Sequence, residues 1–385
     1  MDGKLGKYQS FRDHINKMLF WSGIWPHLED TSFCYNIIPY IAAVMYAAYE
    51  LKVTSFCIAN ISKVSVFVKS LSTAFGLHTL ALKMVSYLLY RKDLVVLGKE
   101  LGRTFEEELE NTDNRQILLQ DISVYRRFLY GVSGLVTMAA ILFYNVPVFR
   151  VFKYKKYEFI YEGNYPFPVA PATPLYWILL FYEASSIWWI FNITNGVDNA
   201  FGLHCFRACG LLRLAAQRWK QFRPNDPISK QQIRQCVRIH QLVIKSKDRL
   251  QRVYGYIVLW NYVTISIILC SLLWQVDQVK HDMTFARIIY FICYIMLKSL
   301  QAFTYAYYGS RVSQESENYQ EAVYFSDWPG CGNIRMMKDI LIIYTQRIII
   351  LKASGYFFIT MEMFEKILNT TLSYFFLLQT VDSKN

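Results

Sequence analysis

The chain lacks several things that would mark it as a soluble protein. None of its 385 residues form a polar, Pro- and Gly-rich linker, although a soluble chain of this length ordinarily divides into two or three domains. Its eight cysteines fall in or near apolar runs, with no regular spacing and no CxxC pair, which argues against a disulfide framework or a zinc site. Cys205 and Cys209 stand at i and i+4 but have no His or Cys nearby to complete a metal set, so they read as packing. HExxH, HxxxxD and GxSxG are missing, and outside the last apolar run no carboxylates pair within an apolar segment. A membrane enzyme would have nowhere to do chemistry. No cofactor is expected. The opening residues 1–14 are polar and charged, so no cleavable signal peptide is expected there and insertion rests on the first membrane helix.

What is present is apolar and aromatic. Hydrophobic residues make up 54% of the chain and aromatics 17%, with 29 Tyr, 27 Phe and 9 Trp. Such side chains suit membrane interfaces and apolar pockets. The formal net charge is +12, from 41 basic and 29 acidic residues. A nucleic-acid partner would need that charge gathered on one folded soluble face; here it collects between apolar runs, so none is expected.

Roughly 20 apolar residues are needed to cross a bilayer as a helix. Seven runs qualify: 31–49, 70–90 (interrupted by Lys83), 128–149, 175–197 (interrupted by Glu183), 253–276, 288–310 (interrupted by Lys298) and 354–381. With the N-terminus inside, the cytoplasmic segments hold 27 Lys and Arg and the outer ones hold 9. That asymmetry predicts a cytoplasmic N-terminus and an extracellular C-terminus. It is the reverse of a G-protein-coupled receptor, and neither DRY nor NPxxY occurs. The fold class expected is therefore an all-α membrane protein of seven transmembrane helices. Residues 1–30 form a cytoplasmic N-terminal segment, 31–310 a six-helix bundle, 311–353 a cytoplasmic anchor helix, and 354–385 the last helix with a short outer tail.

Residues 200–253 are expected to form a helical hairpin that extends the fourth and fifth spans into the cytosol. Phe206, Leu211, Leu214 and Ala215 recur on one side of Pro224 and Pro227, and Ile233, Val237, His240, Val243 and Ile244 on the other. In the last run Lys366, Thr370, Ser373, Leu377 and Thr380 recur at steps of 4, 3, 4 and 3 and share one mostly polar helix face. Glu362, Glu365 and Lys366 fit poorly against lipid, so a wet face lining a pore between subunits accounts for them. The plain alternative keeps these charges at the cytoplasmic interface and lets the hydroxyls bond back to their own backbone.

The closing residues resemble those of insect odorant receptors. They are Gly355-Tyr-Phe-Phe, Met363-Phe364, Ile367-Leu and Thr371-Leu-Ser-Tyr-Phe-Phe-Leu-Leu. Glu321-Ala-Val-Tyr324 with Trp328 resembles the stretch that precedes that helix in the family, and Pro166-Phe-Pro168 fits its outer segment. The resemblance implies a ligand-gated, non-selective cation channel with four subunits whose cytoplasmic helices pack in a central anchor. It implies a pore lined by the last helix, with Ser373 on it, a gate at Leu377 and a polar position at Thr380. Gln379 departs by one residue from the Gln of the related co-receptor and gustatory receptors. The long insertion that marks the co-receptor is missing, so the resemblance points to a ligand-tuning subunit in a heterotetramer with that co-receptor. Its expected place is the plasma membrane of an olfactory neuron's dendrite. A gustatory-type channel is the runner-up; its ending, Thr-Tyr-five-Gln-Phe, is not met, because four residues separate Tyr374 from Gln379.

A small volatile ligand calls for a closed, mostly apolar pocket. The family places it in the outer half of the bundle, among the second, third, fourth and sixth spans. The residues expected there are Phe75, His78, Thr79, Thr137, Ala140, Tyr144, Phe181, Ser185, Tyr290 and Tyr294. His78 has no second ligand at i±4 and reads as a pocket or packing residue. Glu183 and Lys298 are expected to pair across the fourth and sixth spans, because a lone buried charge is costly; otherwise Lys298 snorkels into a water cavity. Of three glycosylation motifs, Asn60-Ile-Ser62 falls on the outer side, while those at Asn192 and Asn369 fall inside spans.

Overall fold

The computed structural model describes residues 2–25, 33–163, 165–224, 229–279, 285–329 and 333–382. They form a helical bundle around one long helix. That helix, α8 (Pro174–Lys220), begins with Thr173, whose hydroxyl accepts from the Tyr176 amide at 3.3 Å, and with Pro174, which needs no amide partner in the first turn. From Asn192 to Ala216 nearly every residue of α8 is buried. A helix covered on all sides belongs in the middle.

Packed around it are α2 (Phe33–Ala59), α3 (Val64–Leu89), α7 (Ile122–Tyr154), α9 (Ser229–Val279) and α10 (Phe285–Tyr324). By length and composition alone, three stretches among the described residues are long and apolar enough to cross a membrane: Tyr35–Ala59, Ile122–Tyr154 and Lys230–Val276. Residues 2–25, polar in sequence, are not loose. They form α1 (Asp2–Trp21), whose Tyr8, Phe11, Ile15 and Leu19 recur every three to four residues and are buried against α8 and α7. Gly196 of α8 lets α1 come this close, since a Cβ there would stand 2.9 Å from Leu19.

In the segment 200–253, α8 continues to Lys220 and α9 starts at Ser229, two helical arms on either side of the connection. Between α3 and α7 the chain makes three short helices, α4 (Arg91–Leu97), α5 (Arg103–Glu110) and α6 (Thr112–Leu118), with a wider π turn at Gly98–Gly102. There Arg213 of α8 binds Asp121 (2.7 Å) and Glu315 (2.6 Å), and Arg311 of α10 binds the same two carboxylates (2.7 and 3.0 Å). Burial pushes the Asp121 carboxyl up, but the two guanidiniums outweigh it and hold the group below its ordinary range.

Two sequence expectations need correction. Residues 311–353 are not one anchor helix: α10 ends at Tyr324, and α11 (Ile334–Tyr344) starts afresh on Asn333, whose side chain accepts from the Met336 amide at 3.2 Å. Pro329 lies in the connection between them, where its missing amide hydrogen and its restriction of Trp328 keep the helix from resuming. The last run also does not begin a helix at 354. Strands β1 (Lys352–Ala353) and β2 (Phe357–Phe358) form a short antiparallel hairpin that turns at Ser354 and Gly355, both with positive φ, and α12 spans only Met361–Asp382. This hairpin leans on α10 at Gly309, where a Cβ would lie 2.1 Å from the Ile359 carbonyl oxygen.

Candidate ligand cavity and exposed closing helix

Four helices leave a space between them. Helix α3 contributes Ser72, Thr73, Gly76, Leu77, Thr79, Leu80 and Lys83, and α7 contributes Val136, Ala139, Ala140, Phe143 and Tyr144. Ile190 and Thr194 come from α8, and Tyr294, Leu297, Lys298 and Gln301 from α10. These sets repeat every three to four residues, as one face of each helix must. Tyr161, from the connection between α7 and α8, completes the wall. The cavity volume is about 160 Å³ and the lining is largely apolar.

Above the cavity, hydroxyls of Tyr144, Tyr161 and Ser186 meet in a triangle of 2.7–2.8 Å contacts. Beside it Glu183, fully buried, accepts from Lys52 Nζ (2.5 Å), the amides of Ile160 (2.8 Å) and Tyr161 (3.0 Å), and the Tyr165 hydroxyl (2.8 Å). The Lys52 ammonium also lies over the rings of Phe159 and Tyr165. Gly163 carries φ +123°, and a Cβ there would meet the Lys52 carbonyl at 2.9 Å. One carboxylate thus pins the connection between α7 and α8 over the bundle.

Below the cavity, Asp198 of α8 binds Lys83 Nζ of α3 (2.6 Å) and accepts from Gln301 (3.2 Å) and the Tyr305 hydroxyl (2.6 Å) of α10. The expected Glu183–Lys298 pair does not form. Both groups sit in spans, but Glu183 is taken by Lys52 from α2, a helix the pairing argument did not weigh. Lys298 instead faces the cavity, its ammonium 5.6 Å from the centre of the Tyr294 ring.

Of the expected ligand residues, Thr79, Ala140, Tyr144 and Tyr294 line this space. Phe75 and His78 turn toward Trp260 of α9 (5.8 and 4.5 Å between ring centres), and His78 also bonds Glu50. Thr137 is exposed, Phe181 is 76% exposed, and Ser185 bonds back to Tyr182, so these three leave the cavity as well. Residue number sets depth along a span, but helix phase decides which side chains face inward, and the sequence left phase open. The side chains of Tyr290, Gln379 and Thr380 lie outside those described. Ser72, Thr73, Gly76, Lys83, Thr194, Lys298 and Gln301 were missed. Lys83 and Lys298 each stand alone in an apolar run, and a lone lysine there calls for an anion within the bundle, which for Lys83 is Asp198. Asn60 ends α2, its amide donating to the Phe56 carbonyl at 3.0 Å.

Helix α12 touches its own chain along a narrow strip. Ile367 and Thr371 are buried, and Phe364 packs on Phe303 of α10 at 5.5 Å between ring centres. Lys366, Thr370 and Ser373 are exposed, and Leu377 is 57% exposed. Lys366 binds Glu362 (2.6 Å), while Thr370, Thr371 and Ser373 bond back to carbonyls one turn earlier. Among the described residues no group of three His, Cys, Asp or Glu side chains is placed to hold a metal.

Comparison with known proteins fits this arrangement. A family model described as 7tm Odorant receptor matches residues 63–372. Odorant receptor Or2 of Anopheles gambiae is 26% identical over 151 residues, 39% of each chain. The odorant receptor coreceptor of the same mosquito is 23% identical over 181 residues, 45% of this chain and 37% of that one. The alignments thus reach about two fifths of these relatives' length. The fold is that of the insect olfactory receptor OR5 from Machilis hrabei, solved in complex with eugenol. The TM-score is 0.78 at 14% identity, covering 97% of this chain and 99% of that one.

Proposed function

Since the chain belongs to the odorant receptor family, and is therefore a membrane receptor rather than an enzyme, we propose that it is the ligand-tuning subunit of an odorant-gated cation channel. In this reading α2, α3, α7, the outer part of α8, α9, α10 and α12 are the seven spans. The excess of Lys and Arg in the inner segments sets the N-terminus in the cytoplasm. A small volatile molecule occupies the cavity between α3, α7, α8 and α10, and α12 lines a pore shared with co-receptor subunits in the plasma membrane. The inner ends of α8, α9 and α10, with α11, form the anchor.

One observation carries the reading: α12 is held by its own chain along one strip and leaves Lys366, Thr370, Ser373 and Leu377 uncovered. A charged residue near the membrane interior is costly against lipid, whereas a water-filled axis between subunits accommodates it. The hydroxyl back-bonds fit either environment and Leu372, Tyr374 and Phe376 are as exposed on other faces, so it is the polar character of the uncovered stripe, with Lys366 in it, that supports the pore. Helix α10 couples cavity to pore, because it carries Tyr294 and Lys298 in the wall and Phe303 against Phe364. A ligand that binds one position of α10 better than another shifts the population of the open state.

The test is whole-cell recording with and without the co-receptor, across a panel of volatile molecules. Evoked current is expected only when both chains are present, and Leu377→Ala is expected to raise resting current or change relative ion permeability. Unaltered permeation and gating in Leu377→Ala would remove α12 from the conduction path.

A further inference from the structure

Lys298 stands on the wall of the cavity with no carboxylate within 4 Å among the described residues. Asp198 is already occupied, with Lys83 at 2.6 Å and two more donors from α10. Lys83, Lys298 and Asp198 together leave one positive charge uncompensated at this end of the cavity. A buried charge persists when it is paired and hydrogen-bonded, and here the empty position beside it is the cavity itself. The ring of Tyr294, 5.6 Å away, steadies the ammonium without neutralising it. Thr194 lines the same space.

We infer that the cavity takes a small organic carboxylate, its headgroup bound by the Lys298 ammonium and its apolar body lying against Leu77, Val136, Ala140 and Phe143. The inference rests on the odorant-receptor reading and narrows its ligand class. The volume, about 160 Å³, sets the size, since an apolar cavity of roughly 150 Å³ holds a benzene-sized guest; this points to about six to ten heavy atoms. A charge-assisted hydrogen bond from an ammonium to a carboxylate is about twice as strong as a neutral one. The corresponding alcohol, of the same size and shape, loses that bond.

The experiment compares hexanoate with 1-hexanol and phenylacetate with 2-phenylethanol, at pH 7, on the chain expressed with its co-receptor. The wild type is expected to answer the acids at lower concentration than the alcohols. Lys298→Met is expected to raise the half-maximal concentration of the acids at least tenfold while moving the alcohols less than about threefold, and Lys298→Arg to keep the acid response. Saturation-transfer NMR on the purified receptor complex measures hexanoate binding without reference to gating. Hexanoate bound by wild type and lost in Lys298→Met, with no current under any volatile, would retain the site and reject the channel reading. Odorant-evoked currents with equal acid and alcohol sensitivity in wild type, or an acid response untouched in Lys298→Met, would overturn the inference and leave the channel intact. If Lys298→Met fails to reach the surface, the wild-type preference and the Lys298→Arg response decide it alone.

Discussion

Glu183 offers the sharpest test of the packing, because its four donors are not equivalent. In Glu183→Gln the Lys52 ammonium, 7% exposed, loses its counter-charge while staying in place. Removing one partner of a buried pair costs about 3–5 kcal/mol. The new amide NH2 also faces donors where the carboxylate accepted from Ile160, Tyr161 and Tyr165. In Lys52→Met the carboxylate keeps those three donors, so the loss should be smaller, about 1–3 kcal/mol. The double variant carries no stranded charge and is expected to be more stable than Glu183→Gln alone, with a coupling of at least about 2 kcal/mol. Thermal melting of detergent-purified protein, followed by fluorescence-detected size exclusion, ranks the four proteins. If Lys52→Met were the worse single variant, or if the two losses simply added, Glu183 would not be the post that ties the α7–α8 connection to the bundle.

Two other substitutions probe separate regions. Gly309→Ala places a Cβ against the Ile359 carbonyl, a 2.1 Å approach to backbone that cannot yield locally, so the β-hairpin and the start of α12 must move off α10. Loss of ligand-evoked current with surface expression retained is expected; normal gating would show that this junction transmits nothing. His204, in the C-terminal half of α8, has its pKa pushed down to about 3, first by burial and then by the charge of Arg207. The folded protein holds it neutral while the unfolded chain protonates it below about 6.5, so its share of stability is complete above that pH and erodes on acidification. Between pH 6.5 and 5 this amounts to about 2 kcal/mol, and His204→Leu should flatten the stability profile by that much. An unchanged profile in the variant would place the acid sensitivity elsewhere.

Hydropathy located the helices well, since a membrane-spanning helix demands a long apolar run. It located helix ends poorly where backbone chemistry intervened. Gly355 with φ +80° turns the start of the last run into a hairpin, and Pro329 splits the anchor segment. The docking of α1 escaped notice because its apolar stripe, Tyr8, Phe11, Ile15 and Leu19, is set among charged residues. The cavity was half legible. Thr79, Ala140, Tyr144 and Tyr294 were found by depth, whereas Phe75, Phe181 and Thr137 were placed on the wrong face, because spans this apolar show no moment to fix their rotation. Charge pairing failed for a different reason. Three lysines and two acids within the bundle allow more than one matching, and only the packing of α2 on α3, with the α7–α8 connection beside it, gives Lys52 to Glu183 and Lys83 to Asp198 and leaves Lys298 to the cavity.

Those two pairs also bear on how binding can reach the pore. Glu183 and Asp198 lie on the same helix fifteen residues apart, about 22 Å at 1.5 Å per residue, with the cavity-facing Ile190 and Thr194 between them. Each carboxylate holds neighbouring elements against α8: α2 and the α7–α8 connection at one level, α3 and α10 at the other. A core pinned at two levels resists gradual deformation and favours a few discrete arrangements. At the lower level Gln301 and Tyr305 both reach Asp198 from α10, one and two turns past Lys298. A ligand that draws Lys298 toward the cavity therefore pulls on the same stretch of α10 that Asp198 restrains. Of the four helices around the cavity, α10 is the one packed substantially on α12, through Phe303 and Phe364. In the channel reading proposed above, the contest between ligand and Asp198 for the position of α10 is the step that would turn occupancy into opening. Asp198→Asn, which weakens the restraint without removing its shape, should then shift the dose–response curve to lower ligand concentration. A shift the other way, in a protein that still reaches the surface, would show that Asp198 holds the open arrangement instead.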